Sequence, residues 1–461
     1  DGVTAVHLAA MGDLPAALAK LAEMGGAAWA RTVADVQGCG VAHFAASFGA
    51  EKVLEFLVRD PNFGPAVLRA PLPAECDRDP ETGRAAACHM AAYNGRIECA
   101  DTLLRLMGPE YMHTMTPDTR ANMAHFAATG DQPEIITWLL RHPQLRELPT
   151  QSNHFGIFPF HLAAKAGSVN TLRVCVEELG ADVVRMRTPG QLGMNVAHFA
   201  ACNGATESLE YISATKGLGR DVLVAKDGQG MTIAASAALN GRVPTLQWIV
   251  RTLGVPFVKS LDMEGRTAAH AAALGNVSVL QFFAGHPEFG EAFLRQRDGS
   301  GNTIAHMAAM EGHTKVLSYI ESTLGADFVR SPNNARVTPQ RTGAAYPAVQ
   351  AFFARGHAAS AATVDPIQFF QALLRASGAD STVTVLDGSA HYGKRDAPGH
   401  QGDGCGTCGR ARPQPAPSQP PTASGAPSRG GGVPCGAGID APALHVKPLT
   451  GSPSRWVDEL D

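Results

Sequence analysis

A four-residue phrase, His followed by an apolar residue and Ala-Ala, recurs along most of this 461-residue chain and constrains its fold more than any other feature. It stands at His7, His43, His89, His125, His161, His198, His270 and His306, in steps of 36, 46, 36, 36, 37, 72 and 36 residues. The 72 is a doubled step, with Ala235 of Thr232-Ile233-Ala234-Ala235 holding the missing register. Thr338-Pro339-Gln340-Arg341 keeps the start of the phrase 35 residues past His306, so the register predicts ten units. A fixed period of this size belongs to units that cannot bury their apolar faces alone and do so by stacking. Length alone suggests two to four domains; the repeat replaces that with one array over residues 1–357.

Each unit reads as two helices. Thr three residues before the His (Thr4, Thr232, Thr267, Thr303, Thr338) suits a helix N-cap, its hydroxyl accepting from an otherwise unpaired N–H. Gly five or six residues after the His (Gly49, Gly95, Gly167, Gly204, Gly241, Gly312) ends the first helix. The units of His7, His125 and His270 reach their Gly one residue sooner, so their first helices are expected to end early. Paired apolar residues at helical spacing, such as Val53-Leu54 with Phe56-Leu57 and Ile135-Ile136 with Trp138-Leu139, mark the second helix. An extended piece should follow, opened by Gly-Ala-Asp at 180–182 and 325–327, then an Asp-x-x-Gly turn at 227–230, 262–265 and 298–301. The fold class expected is therefore all-α, a helix-turn-helix-loop solenoid with a period of about 36.

In these motifs the sequence resembles the ankyrin-repeat family, whose phrase Asp-x-x-Gly-x-Thr-Pro-Leu-His-x-Ala-Ala-x-x-Gly is nearly spelled out by residues 298–312. The resemblance covers about residues 1–357. The period exceeds the family's 33 residues, so the link after the second helix should be longer. The 46-residue step carries an insertion at 71–82, expected as a protruding loop. The resemblance implies a protein-binding scaffold whose partner contacts lie on turn tips and on the inner face of the first helices. Mapped here, the tips are Val36, Gln37, Gln229, Met231, Met263, Glu264, Arg266, Ser300 and Asn302. The inner-helix positions are Ser47, Phe48, Tyr93, Asn94, Lys165, Asn203, Met310 and Glu311, with Phe48, Tyr93 and Met310 the sharpest because aromatics and Met concentrate at contact hot spots.

Chemistry is thin by comparison. Eight of 17 histidines share one repeat position. Stacked helices lie roughly 8–10 Å apart, whereas zinc needs nitrogens at about 2.0–2.1 Å, so the array cannot gather them on one ion; they are expected to lock unit to unit. Ala235 fits that reading, because losing one lock is tolerable. No phosphate-cradling loop, nucleophile elbow or His-Glu-x-x-His is present, and no catalytic residue or cofactor is expected. Cys405-Gly406-Thr407-Cys408, with His391, His400 and Cys435 nearby, is the one pattern compatible with zinc, set against free thiols in a Gly/Pro-rich stretch.

Val349, Phe352 and Phe353 should close the array as a degenerate last unit, followed by a capping helix at 358–380 and a disordered Gly/Pro-rich tail at 381–461. A net charge of -4 gives no case for nucleic acid or an anionic membrane as partner. No apolar run approaches the ~18 residues that cross a bilayer, and nine scattered Cys favour reduced thiols. The expectation is a monomeric cytoplasmic scaffold for one or more proteins. The alternative is the repeat portion of a larger enzyme or bacterial secreted effector, acting in host cytoplasm, since Asp1 opens in mid-motif and residues upstream are then expected.

Overall fold

The computed structural model describes residues 2–35, 38–72, 84–190 and 192–358. The insertion, the 358–380 helix, the 381–461 tail and the Cys405–Cys408 pair therefore fall outside the described residues, apart from Pro71, Leu72 and Ala358. Among those described there are 28 α-helices and no strand, in an all-α solenoid. First helices stack on first helices, from Ala5–Met11 through to Pro339–Thr342, and second helices form a parallel layer behind them. Ala-Ala makes this possible: Ala45 and Ala46, Ala127 and Ala128, and Ala200 and Ala201 are wholly buried where neighbouring backbones approach.

The unit has one more helix than its sequence suggests. Gly-Ala-Asp opens a short third helix, Ala181–Val184 and Ala326–Arg330, rather than an extended link. The residues that lengthen the period are thus helical. Such short helices gain their stability by packing rather than propensity, and Val184, Val258 and Val329 anchor them in the core.

Two kinds of unit alternate. Long units have 11-residue second helices (Pro15–Gly25, Ile97–Met107, Val169–Leu179, Val243–Leu253, Thr314–Leu324), each stopped by a left-handed Gly that leads at once into the third helix. Short units have 9-residue second helices (Glu51–Arg59, Pro133–Arg141, Thr206–Ala214, Val277–Gly285), each ended by an extended residue, Asp60, His142, Thr215 or His286, before a looser turn. The first helix at Ala268–Ala272 does end early, at five residues. Those of His7 and His125 do not stand apart, having seven residues like Ala87–Tyr93 and Ile304–Met310. Val349, Phe352 and Phe353 are buried at the close of the array, as expected.

Candidate partner-binding face

The repeated histidines are locks. The N-cap backbone N–H donates to Nδ1 of His89, His125 and His161 at 3.0–3.2 Å, which leaves the proton on Nε2. In short units Nε2 then donates to the chain entering the next unit: His43 to Ala85 at 2.9 Å, His125 to Ile157 at 3.0 Å, His198 to Met231 at 3.2 Å and His270 to Asn302 at 3.3 Å. In the long units of His89 and His161 it donates to Thr114 and Met186, just past the third helix; His306 uses Val337. The next unit's Phe lies over the ring: Phe44 on His7, Phe126 on His89 and Phe199 on His161, with centroids 4.5–4.8 Å apart. Where Ala235 replaces the His, Ala271 replaces the Phe. Burial pushes His89, His125 and His198 down to about 4 and His161 to about 3, so the rings are neutral at neutral pH.

The turn tips are equally fixed. Asp227 accepts from the N–H of Gln229 and Met231, Asp262 from Glu264 and Arg266, and Asp298 from Ser300 and Asn302, all at 2.8–2.9 Å. Asn153 and Asn333 act alike. Each turn also bonds its neighbour through the backbone: Gly228 to Leu192, Met263 to Gln229, Gly299 to Glu264 and Asn334 to Ser300, at 2.8–3.1 Å. Arg187, Lys226 and Arg297 brace the same junctions by donating to the carbonyls of Lys226, Leu261 and Pro332.

Against this frame the expected contact residues divide. Phe48 (48% exposed), Tyr93 (38%) and Met263 (77%) present their side chains to solvent, as do Glu264 and Ser300; Gln229 is half-buried. Lys165 departs from expectation: it is 7% exposed, enclosed where the next unit's Asn203 donates to its carbonyl at 2.8 Å. Asn203 is held there and by Arg242, while Asn94 bonds back to the Met90 carbonyl. Arg266 pairs with Asp262 at 2.7 Å and Glu264 at 2.8 Å; Asn302 bonds Asp298 and Asn333. Met231 is half-buried with its backbone occupied, Met310 packs on the core, and Glu311 is half-buried with interactions of its own. Val36 and Gln37 fall outside the described residues.

Sequence reading missed two features of this face. Leu261 is exposed beside Met263 and makes the tip apolar. Phe44 stacks parallel to Phe48, 6.2 Å between centroids, and with Leu8, Met11 and Ser47 they line a groove of about 390 Å³. The signal was present, since Leu8 and Phe44 both follow a repeated His and Phe44 and Phe48 lie one helical turn apart. Among the described residues no group of His, Cys, Asp and Glu is placed to hold a metal ion, and no helix is long and apolar enough to cross a membrane. No curated protein matches the chain. Residues 124–224, the units of His125, His161 and His198, match the family described as Ankyrin repeats, in three copies.

Proposed function

Since residues 124–224 are ankyrin repeats, which are generally protein–protein interaction modules, we propose that the array is a binding scaffold that takes a protein partner on its first-helix face and turn tips. The observation that carries this reading is the contrast between frame and surface. The turns and first helices are bonded from unit to unit, while Phe48, Tyr93 and Met263 project from them unburied. A rigid platform that holds exposed aromatic and Met side chains loses little entropy on binding.

The repeated histidines have no part in catalysis in this reading: from His43 to His306 both ring nitrogens are bonded to backbone, and burial keeps His89, His125, His161 and His198 neutral. The scaffold works as a monomer in cytoplasm, without cofactor, nucleic acid or membrane. Support for a reducing compartment comes from Cys88, Cys99, Cys175 and Cys202, buried thiols outside any disulfide.

The test is affinity capture with the full chain and with Phe48→Ala/Tyr93→Ala, both side chains being exposed. The double variant is expected to lose about ten-fold or more in affinity, as hot-spot truncations do, with an unchanged far-UV spectrum and melting temperature. Full retention of every captured protein would place the binding surface elsewhere.

A further inference from the structure

The first-helix face is not evenly open. One place after the repeated His, Phe44 and Met90 are half-buried. In the middle of the array the same place is buried, with Phe126 at 2% exposed, Leu162 at 3% and Phe199 at 8%. Four places after the His the contrast is sharper. Tyr93 is 38% exposed, while Lys165 and Cys202, at that place two and three units on, are 7% and 4% exposed. Lys is among the side chains least often buried, so register alone does not account for the difference.

The buried stretch carries its own apolar cluster. Met194, Phe199 and Cys202, with Ile157 and Leu192 against them, pack apart from the main core. They stand on turns and a first helix, the elements of the proposed binding face. A cluster this small, on the open side of a stacked array, stays out of water only under cover from that side. Lys165 borders it, its charge felt by the Cys202 thiol. Asn203 closes one side of Lys165 at the carbonyl, and Lys165 has further interactions of its own. A buried ammonium is tolerated only when paired, so the cover that fits brings carboxylate and apolar side chains together.

This chain holds such a segment. Trp456-Val457-Asp458-Glu459-Leu460-Asp461 has three acidic and three apolar side chains in six residues. The 97 residues from 359 to 455 give it reach. The unit of Thr338 lies five units from that of His161, which is about 40–50 Å at helix spacings of roughly 8–10 Å. A Gly-rich chain as long as that connection has an r.m.s. span of about 50–60 Å.

We propose that the middle of the first-helix face, floored by Lys165, Met194, Phe199 and Cys202, receives an acidic and apolar peptide segment, and that residues 456–461 of the same chain are its occupant. Asp458 and Glu459 pair with Lys165, while Trp456 and Leu460 cover Phe199 and Met194. The inference rests on the reading of this face as a binding face and adds its regulation: the chain's own segment holds the face until a protein partner displaces it.

Hydrogen exchange on the full chain tests this. The amides of 457–461 are expected to exchange at least about ten-fold more slowly than in a free peptide of residues 452–461, since a docked segment exchanges only through opening. Asp458→Lys/Glu459→Lys should abolish that protection, and adding Lys165→Glu to the same chain should restore it by reversing both charges. The tail variant leaves the array untouched, so its result decides even where Lys165→Glu alone unfolds. Peptide-like exchange in the full chain, or protection that survives Asp458→Lys/Glu459→Lys, would overturn the proposal. So would protection that fades on dilution, since the occupant would then be the segment of a second copy. Affinity capture separates the two readings: partner loss in Phe48→Ala/Tyr93→Ala with an unprotected 457–461 would sink this inference and leave the scaffold standing.

Discussion

Acid should dissolve the middle of the array before its ends. His89, His125, His161 and His198 occupy four consecutive units, and each is held neutral by burial, at about 4 for three of them and about 3 for His161, against 6.5 unperturbed. The unfolded chain therefore binds these protons first. Their contribution is fully present above about pH 6.5 and is lost as pH falls toward 4. At pH 5.5 an unfolded His is about nine-tenths protonated and a folded one only a few per cent, so each site costs about 1.4 kcal/mol and the four together about 5–6 kcal/mol. That approaches the whole stability of an ordinary domain, about 5–15 kcal/mol. Ordinary carboxylates, with pKa near 4, contribute little above pH 5.5. The assay is urea unfolding at intervals from pH 8 to 5.5, joined to hydrogen exchange of the helices Ala87–Tyr93 through Val196–Asn203. The unfolding midpoint should fall steadily, and those helices should lose protection ahead of Ile233–Leu239, whose unit has Ala235 and no ionisable lock. His161→Gln should lower stability at pH 8 but remove about a quarter of the pH dependence. A midpoint flat from pH 7.5 to 5.5, or a pH dependence unaltered in His161→Gln, would refute the reasoning.

Other perturbations test the frame. Gly130 has ordinary φ, but a Cβ there would strike the Tyr93 carbonyl of the preceding unit, so Gly130→Ala should cost about 1–3 kcal/mol by overpacking despite the better helix former; urea unfolding measures it. Asp298→Ala leaves the Ser300 and Asn302 amides without their carboxylate and should cost about 1–3 kcal/mol, with faster exchange confined to that turn and the next. Burial pushes Cys88, Cys99, Cys175 and Cys202 up to about 12, so at pH 8 a thiol reagent should leave all four unmodified in the native protein and modify them in urea, as peptide mapping would show.

How much of this was legible in the sequence depends on how local the cause is. The first helices, their register and the Asp turns follow from residues a few positions apart, and Asp227, Asp262 and Asp298 do what their spacing to Gly implies. The third helix was missed because Gly180 and Gly325 read as stops. They are stops, yet the chain restarts at once, stabilised by core contacts of Val184 and Val329 that no local pattern announces. The alternation had a local trace in retrospect: in three of the four short units Pro61, Pro143 or Pro287 follows the extended residue that closes the second helix, whereas the long units close theirs with Gly108, Gly180, Gly254 or Gly325. Lys165 was misread because its burial depends on Asn203, 38 residues away. The proposed contact face was legible as positions and not as surface, since exposure is decided by the neighbouring unit.

Alternation also sets the quantum of length change. Deleting a single unit would bring two units of one type together, with a His facing no Phe and a donor facing the wrong carbonyl. Deleting or duplicating a long–short pair restores every junction. The long–short pair, rather than the single unit, is accordingly the smallest length change expected to leave every junction matched.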